Sequence, residues 1–247
     1  MLEFKNIKVN RGKRSILQGI SFALSKSGIT VLLGKNGSGK STLLDAVTGQ
    51  VKYSGSITLD GREVSKMPSR SRASEIALLP QTLPETSLTV RDLVSLGRYA
   101  YTGSIGVLSE EELYHISSAI RTTGLTNLAD RPCNELSGGE RQKAYFAMIL
   151  AQNSTYLLLD EPTTYLDISY RREMYSLMHM LAVDHGKSLL VVMHDLSEAV
   201  ALADRICVLD GGRVAFTGTR DEFLAGNIYE NVFGVKQYKA DDKIFFA

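Results

Sequence analysis

The sequence predicts an α/β fold, and three features of the chain carry this prediction. The short apolar run 29–33 precedes a glycine-rich loop, and residues 43–47 after that loop have helical spacing. Two further apolar runs, 156–159 and 189–193, have the composition of strands buried on both faces. Polar residues follow all three runs. Because ligands of open α/β sheets bind at the carboxyl ends of the strands, we expect the chemistry of the chain at those positions.

Composition narrows the class of protein. The 247 residues allow one large domain or two small ones, and a formal net charge of +1 gives no reason to expect nucleic acid as a partner. Cys133 and Cys207 stand in unrelated contexts and suggest neither a disulfide nor a zinc site. No signal peptide is evident, and no apolar run approaches the ~18–20 residues of a membrane-spanning helix. We expect a cytosolic protein, soluble when isolated, that can lie against a membrane protein.

The N-terminal region predicts an antiparallel β portion. Residues 2–9 alternate between apolar and polar side chains, 11–14 form a turn, and 15–24 again have the pattern of strands. Residues 56–59 predict another strand, which an Asp-Gly turn signal ends.

A helical block interrupts this alternation. Helical spacing occurs over 89–99, 109–123 and 137–152. We therefore predict an inserted helical subdomain at 84–152, within one domain whose core comprises 1–83 and 153–247. The remaining elements are predicted to be a strand at 76–79, a helix at 170–185, a hairpin from 206–209 and 213–216, and a helix from Asp221 followed by a short tail.

Residues 34–42 match the phosphate-binding loop pattern G-x-x-x-x-G-K-[ST]. Glycines let the backbone curl so that successive N–H groups point into one hollow, which suits the phosphates of a nucleotide. Lys40 supplies a positive charge, and the hydroxyl of Ser41 suits Mg²⁺. The candidate ATP-binding residues of the loop are Gly34, Asn36, Gly37, Ser38, Gly39, Lys40, Ser41 and Thr42.

Asp160 and Glu161 directly follow the apolar run 156–159. A carboxylate pair at a strand end is what nucleotide hydrolysis needs. Asp160 can hold Mg²⁺, and Glu161 can act as the general base on the attacking water. The alternative is a solvated loop that carries two acids.

Residues 136–140, Leu-Ser-Gly-Gly-Glu, predict a helix that opens with a capping box between Ser137 and Glu140. Gly138 and Gly139 leave backbone N–H groups approachable, and a bare helix N-terminus binds anions. A well-capped helix without a ligand is the alternative, although two adjacent glycines lower helix stability.

Together these motifs resemble the ATP-binding subunits of ABC transporters, over nearly the whole chain. The matching features, in order, are the phosphate loop, Gln81 as the Q-loop glutamine, 136–140 as the signature, 156–161 as the Walker B strand with its catalytic glutamate, 164–167 as the D-loop, and His194 as the switch histidine. The resemblance implies a P-loop NTPase (RecA-like) ABC ATPase core with the antiparallel β portion and the helical subdomain added.

The resemblance also implies roles for these residues. Mg-ATP is hydrolysed with Glu161, His194 and Gln81 as catalytic residues. Ser41, Asp160 and Gln81 serve as the Mg²⁺ ligands. Ser137, Gly138 and Gly139 contact the ATP held by a second copy of the chain in a head-to-tail homodimer. The expected partners are the permease subunits, at the cytoplasmic face of the membrane, and indirectly a substrate-binding protein.

One position departs from the family pattern. Members usually carry an aromatic residue near the start of the chain that stacks on adenine, and Arg11 stands there instead. A guanidinium can stack on a flat base, so Arg11 remains a candidate ATP-binding residue. The alternative is a solvated turn residue.

The chain further resembles the subfamily that energises uptake of iron–siderophores, haem and vitamin B12. The resemblance is carried by 89–94, Leu96-Gly97-Arg98-Tyr99, 128–131 and 163–168. Two alternatives remain from the sequence: a non-transport ABC ATPase, such as an iron–sulfur assembly scaffold, and a GTPase. The chain contains no Asn-Lys-x-Asp guanine motif.

Overall fold

We describe the fold from a computed structural model, which describes residues 1–101, 108–164, 166–240 and 243–247. Its strands are β1 (Leu2–Arg11), β2 (Arg14–Leu24), β3 (Gly28–Gly34), β4 (Ser54–Leu59), β5 (Arg62–Glu63), β6 (Ile76–Leu79), β7 (Tyr156–Asp160), β8 (Ser188–Val192), β9 (Arg205–Asp210), β10 (Arg213–Thr219), β11 (Gln237–Ala240) and β12 (Lys243–Phe246). Its α-helices are α1 (Lys40–Thr48), α2 (Ser69–Glu75), α3 (Val90–Leu96), α4 (Glu110–Thr122), α5 (Gly138–Gln152), α6 (Ile168–Val183), α7 (Leu196–Leu202), α8 (Arg220–Ala225) and α9 (Ile228–Phe233).

The chain divides into two compact units. The first unit comprises Met1–Met67 together with Ala182–Ala247, and the second comprises Pro68–Leu181. None of the helices in the described part of the chain is both long enough and apolar enough to cross a membrane.

The first unit contains the predicted antiparallel β portion. Its strand order is β2-β1-β4-β5, and β1 pairs antiparallel with both β2 and β4. The apolar residues of β1 predicted to face the core, Leu2, Phe4, Ile7 and Val9, are buried, and a register shift between Phe4 and Ile7 interrupts the alternation. Phe4 and Phe22 are register partners whose rings stack with centroids 4.5 Å apart. This stack and its aliphatic neighbours form one core face of the sheet.

The first unit also contains a mostly parallel sheet segment in the order β10-β9-β3-β8. Val31 of β3 is the register partner of Val191 on one side and of Ile206 on the other, and both pairings are parallel. All five residues of β8 are buried. Because β3 lies between two strands, the loop that leaves its carboxyl end has neighbours on both sides.

The second unit holds one parallel strand pair and most of the helices. Strands β6 and β7 pair parallel, with Leu79 opposite Leu159, and every residue of β7 is buried. The predicted helical subdomain, 84–152, contains α3, α4 and α5 and no strand among its described residues. Its boundaries as a separate subdomain stay a prediction.

Several elements differ from the sequence prediction. Helix α3 ends at Leu96 rather than Tyr99, because the amides of the next three residues donate to carbonyls three positions earlier, and the chain continues as tighter turns. The short tail predicted after the helix from Asp221 contains another helix, α9, and the hairpin β11–β12. Rings of this tail pack together, with Phe246 5.2 Å from Tyr229, so tertiary contacts stabilise elements that lack a long periodic pattern. Both cysteines are buried, and neither forms a disulfide.

Candidate nucleotide-binding and catalytic site

The phosphate loop connects β3 to α1 in the first unit. Gly39 has a φ of 103°, a left-handed conformation that side chains rarely adopt, and a β-carbon there would run into the side chain of Leu17. A β-carbon at Gly34 would run into the carbonyl of Leu209 and would lie 2.6 Å from Ser38 Oγ. Glycine is therefore required at both ends of the curl by backbone conformation and by space.

The start of α1 suits an anion. Its N-cap is Gly39, and no side chain in the described part of the chain caps the helix. The amides of the first turn are consequently available, together with the positive end of the helix dipole. Ser38 lies beside them, and its buried hydroxyl makes no hydrogen bond to any described residue. These donors match the oxygens of a nucleotide's phosphates.

Lys40 is folded back across the loop. Its side chain is buried, and Nζ donates hydrogen bonds to the carbonyls of Gly34 at 2.7 Å and Lys35 at 3.3 Å. The ammonium is thus held inside the curl of the loop. Of the remaining loop residues named above, Asn36, Gly37 and Ser41 are exposed, whereas Thr42 is buried.

His194 belongs to the same edge of the sheet as the phosphate loop. It is exposed and follows β8, the parallel neighbour of β3, and the preceding residue, Met193, donates its N–H to the carbonyl of Leu32 at 3.3 Å. The histidine and the loop therefore leave adjacent strands at their carboxyl ends.

Arg11 lies next to α1 and pairs loosely with an acid. Its guanidinium Nη2 is 3.7 Å from Asp45 Oδ2, and the Arg11 side chain is 63 % exposed. Partial burial raises the pKa of Asp45, and the nearby guanidinium offsets part of that rise. The Arg11 side chain thus lies beside the helix that begins at the phosphate loop. Its role in binding the base stays a prediction.

The two carboxylates predicted to bind Mg²⁺ and to act as the general base lie in the second unit at the end of β7. Asp160 is the last residue of that strand and is buried. Glu161 follows with a φ of 53°, a left-handed conformation that is uncommon outside glycine. Gln81 Nε2 donates to Glu161 Oε2 at 2.8 Å, and Thr164 Oγ1 donates to the same oxygen at 3.2 Å. The structure therefore brings Gln81 and Glu161 together.

Gln142 is a residue of this site that the sequence analysis missed. Its side chain is buried, and Nε2 donates to the carbonyl of Pro162 at 2.9 Å. This hydrogen bond connects α5 to the residue that follows Glu161. The strained backbone conformation is that of Glu161 itself. In the sequence, Gln142 lies among apolar and small residues of α5. Helical spacing alone does not show whether such a glutamine is buried or on the surface.

The signature residues form the predicted capping box. Ser137 Oγ accepts from the N–H of Glu140 at 3.3 Å and donates to its Oε2 at 2.8 Å, and the N–H of Ser137 donates to the same oxygen at 2.9 Å. These hydrogen bonds hold the pKa of the Glu140 carboxyl below its usual range. Ser137 and Gly138 are exposed, and a β-carbon at Gly138 would meet open space.

The predicted D-loop, 164–167, directly precedes α6. Asp167 Oδ1 accepts from Ser169 Oγ at 2.7 Å and from the N–H of Tyr170 at 2.9 Å. The bond from the Tyr170 amide is the main cause of the lowered pKa of Asp167. Of the predicted D-loop residues, Tyr165 lies outside the described part of the chain.

Similarity to known proteins identifies the family of the chain. A model of the ABC transporter family matches residues 17–164. The chain is 37 % identical over 237 residues to the iron(3+)-hydroxamate import ATP-binding protein FhuC of Bacillus subtilis (strain 168), covering 95 % of this chain and 88 % of the relative. The chain belongs to the ABC transporter ATP-binding family. It is therefore an ATPase of that family, and it binds ATP.

Other similar proteins support the same assignment of this ABC subunit. It is 32 % identical to the ferric enterobactin transport ATP-binding protein FepC of Escherichia coli (strain K12), over 98 % of this chain and 90 % of the relative. It superimposes on an inward-facing metal-chelate type ABC transporter with a TM-score of 0.84 and 26 % identity, covering 99 % and 95 % of the two chains. A dimeric ATP-binding cassette bound to ADP and Pi gives a TM-score of 0.79 at 26 % identity, covering 89 % and 99 %.

The predicted metal ligands of the ABC subunit have suitable donor atoms. Ser41 offers an exposed hydroxyl one residue after Lys40, and Asp160 offers a buried carboxylate. No group of three His, Cys, Asp or Glu side chains that could hold a metal ion occurs among the residues that the structure describes. Mg²⁺ is commonly bound by one or two protein oxygens together with substrate phosphates. The Ser41 hydroxyl and the Asp160 carboxylate are each, taken alone, an oxygen donor suited to that mode of binding.

Proposed function

We propose that this ABC subunit hydrolyses Mg-ATP to energise a permease that imports an iron–siderophore or a related metal chelate. The observation that carries the proposal is the similarity to the ATP-binding subunits FhuC and FepC over 95 % and 98 % of the chain. Their names state import of iron(3+)-hydroxamate and transport of ferric enterobactin. The relatives are transport subunits, so we do not retain the assembly-scaffold alternative.

The phosphate loop binds the phosphates of ATP. The uncapped start of α1 and the hydroxyl of Ser38 donate to phosphate oxygens, and Lys40 exchanges its carbonyl partners for the terminal phosphate. Ser41, Asp160 and Gln81 would hold Mg²⁺. When bound, this ion neutralises charge on the phosphate oxygens.

Glu161 is the general base. It accepts a proton from the water that attacks the terminal phosphate, while Gln81 and Thr164 orient its carboxylate through Oε2. His194 donates a hydrogen bond to the terminal phosphate, as the resemblance implies. Positioning and charge stabilisation supply most of the rate enhancement in phosphoryl transfer. The roles of these side chains therefore depend on their being held in fixed directions.

Two copies of the subunit bind two ATP molecules between them. Ser137 and Gly138 at the start of α5 are exposed and contact the ATP bound to the phosphate loop of the other copy. The dimeric cassette bound to ADP and Pi supports this arrangement by its similarity. Dimer closure and opening then drive the permease. The subunit thus works at the cytoplasmic face of the membrane, with a substrate-binding protein delivering the cargo on the other side.

Complementation of uptake tests the proposal. A strain that lacks this subunit is supplied with the wild-type chain, with Lys40→Ala or with Glu161→Gln, and uptake of ⁵⁵Fe-hydroxamate, ⁵⁵Fe-catecholate, haem and cobalamin is measured. We expect the wild type to restore uptake of one chelate and neither variant to restore it. Co-purification of a polytopic permease with the wild type is the second readout. Uptake restored by Glu161→Gln would contradict the proposal. It would also be contradicted if the wild-type chain neither co-purified with a permease nor restored uptake of any of these chelates.

A further inference from the structure

The ring of Tyr170 lies directly against the signature motif. A β-carbon at Gly139 would lie 2.8 Å from Cγ and Cδ2 of Tyr170 and 2.9 Å from Cδ1. Real β-carbons do not approach other heavy atoms this closely. Rotation of the ring about χ2 cannot move Cγ, so relief of this clash requires a change of χ1 or a shift of the backbone. Gly139 is a helical residue of α5, where alanine is normally favoured over glycine.

Gly138 differs from Gly139 in its surroundings. It is exposed, and a β-carbon there would meet no atom within 4 Å. The two adjacent glycines of the signature therefore have separate explanations. Gly139 must be glycine because the Tyr170 ring of the same chain covers it. Gly138 has no such neighbour and is accessible to a ligand at the start of α5.

A charged pair reinforces the contact between α5 and α6. Lys143 Nζ lies 4.6 Å from the centroid of the Tyr170 ring and forms an ion pair with Glu173. The Lys143 side chain is only 13 % exposed, and a cation over an aromatic face gains more when it is shielded from water. Lys143 follows Gly139 by four positions and Glu173 follows Tyr170 by three. Each helix thus presents one continuous strip to the other.

Tyr170 is also connected to the D-loop through its backbone. Its N–H donates to Asp167 Oδ1 at 2.9 Å. One residue therefore joins two motifs: its amide binds the acid of the D-loop, and its ring covers a glycine of the signature.

We propose that Tyr170 is a positioning residue that sets the start of α5 for the ATP held by a second copy of the chain. This inference rests on the proposed function, in which Ser137 and Gly138 reach that ATP. Tyr170 acts through Gly139, which lies two residues from Ser137. Loss of the ring leaves the start of α5 without its support. A displacement of about 1 Å at a positioned group can lower activity on the order of 10²-fold.

A double-mutant cycle in urea unfolding tests the contact. The variants are Gly139→Ala, Tyr170→Ala and the double variant, with Gly138→Ala in both backgrounds as the matched control. We expect Gly139→Ala to lower the unfolding midpoint when Tyr170 is present and to leave it unchanged or raise it with Tyr170→Ala. Gly138→Ala should have the same effect in both backgrounds. Equal effects of Gly139→Ala in the two backgrounds would overturn the proposal.

ATP-dependent dimerisation of Glu161→Gln tests the role. We expect Tyr170→Ala to weaken the dimer by about tenfold or more, with the ATP affinity of the monomer unchanged, and Tyr170→Phe to restore the dimer because it keeps the ring. A dimer unaffected by Tyr170→Ala, an equal loss of ATP affinity, or no rescue by Tyr170→Phe would overturn the role of Tyr170 alone. If Glu161→Gln by itself does not dimerise with ATP, the proposed dimer fails, and this assignment fails with it.

Discussion

Gln81 Nε2 donates a hydrogen bond to Glu161 Oε2 at 2.8 Å, and Thr164 Oγ1 donates to the same oxygen. Two donors on one oxygen fix the direction of the carboxylate. The backbone of Glu161 is itself held at a φ of 53°, and Gln142 binds the carbonyl of the next residue. The side chain of the proposed base is therefore oriented by Gln81 and Thr164, and the turn that carries it is held by Gln142.

Removing the amide of Gln81 tests this orientation. We expect Gln81→Ala to lower kcat on the order of 10²-fold, because a misdirected base slows the proton transfer, and to weaken Mg-ATP binding by a smaller factor, because one proposed Mg²⁺ ligand is lost. Gln81→Glu should be at least as harmful, since it places a second carboxylate beside the first. Steady-state kinetics and equilibrium ATP binding measure the two effects. A normal kcat for Gln81→Ala would contradict the account.

Lys40→Ala should remove most of the ATPase activity. The buried ammonium is held inside the loop by the carbonyls of Gly34 and Lys35, and its loss removes the positive charge from a site built on electrostatic stabilisation. We expect kcat to fall on the order of 10²–10³-fold. Lys66→Ala, at an exposed lysine outside the loop, is the matched control. Near-normal turnover of Lys40→Ala at saturating ATP would refute the assignment.

Purine selectivity tests the role of Arg11. We expect the wild type to distinguish ATP from GTP only weakly, because stacking by a guanidinium depends little on which purine it covers. Arg11→Tyr should tighten ATP binding, since a base stacked on an aromatic ring gains ~1–3 kcal/mol. Asp45→Asn, which removes the acid beside Arg11, is the control for a changed ion pair. Competition binding of ATP against GTP measures this selectivity. A large preference for ATP that persists in Arg11→Ala would show that residues other than Arg11 recognise the base.

Acid titration tests the capping box of α5. The pKa of Glu140 is lower in the folded protein than its usual 4.5, because Ser137 donates two hydrogen bonds to its carboxylate. A lowered pKa means that the stabilisation is complete above about pH 4.5 and is lost as the pH falls through the folded pKa. We therefore expect the stability gap between wild type and Glu140→Gln in urea unfolding to shrink with acidification. A gap that does not depend on pH would contradict the capping role.

The sequence predicted the strands and the motifs because both depend on local pattern. The buried runs of β3, β7 and β8 and the phosphate loop occur where their composition places them. Loop glycines were likewise predictable, and the structure adds the reason for Gly39: its left-handed φ and the side chain of Leu17.

Contacts between segments distant in the chain were not predictable from pattern. The bond from Gln142 to Pro162 and the ring of Tyr170 over Gly139 join residues 20 and 31 positions apart in the sequence. Their residue types are ordinary for helices, and only the folded arrangement of α5 and α6 shows what they touch. The tail after α8 was missed for a similar reason, since packing of its rings, rather than periodicity, accounts for it.

The central claim is that Ser137 acts on the ATP of a second copy. Glu161→Gln removes the base and keeps its shape, so ATP should bind without turnover and trap the closed dimer. Ser137 is exposed at the start of α5 and is not part of the phosphate loop between β3 and α1. Ser137→Arg should therefore block the dimer and leave ATP binding by the monomer largely intact.

Size-exclusion chromatography at saturating Mg-ATP is the most direct measurement. The account predicts that Glu161→Gln elutes as a dimer and that Glu161→Gln with Ser137→Arg elutes as a monomer that still binds ATP. A double variant that remains a dimer, or a monomer that no longer binds ATP, would contradict the account.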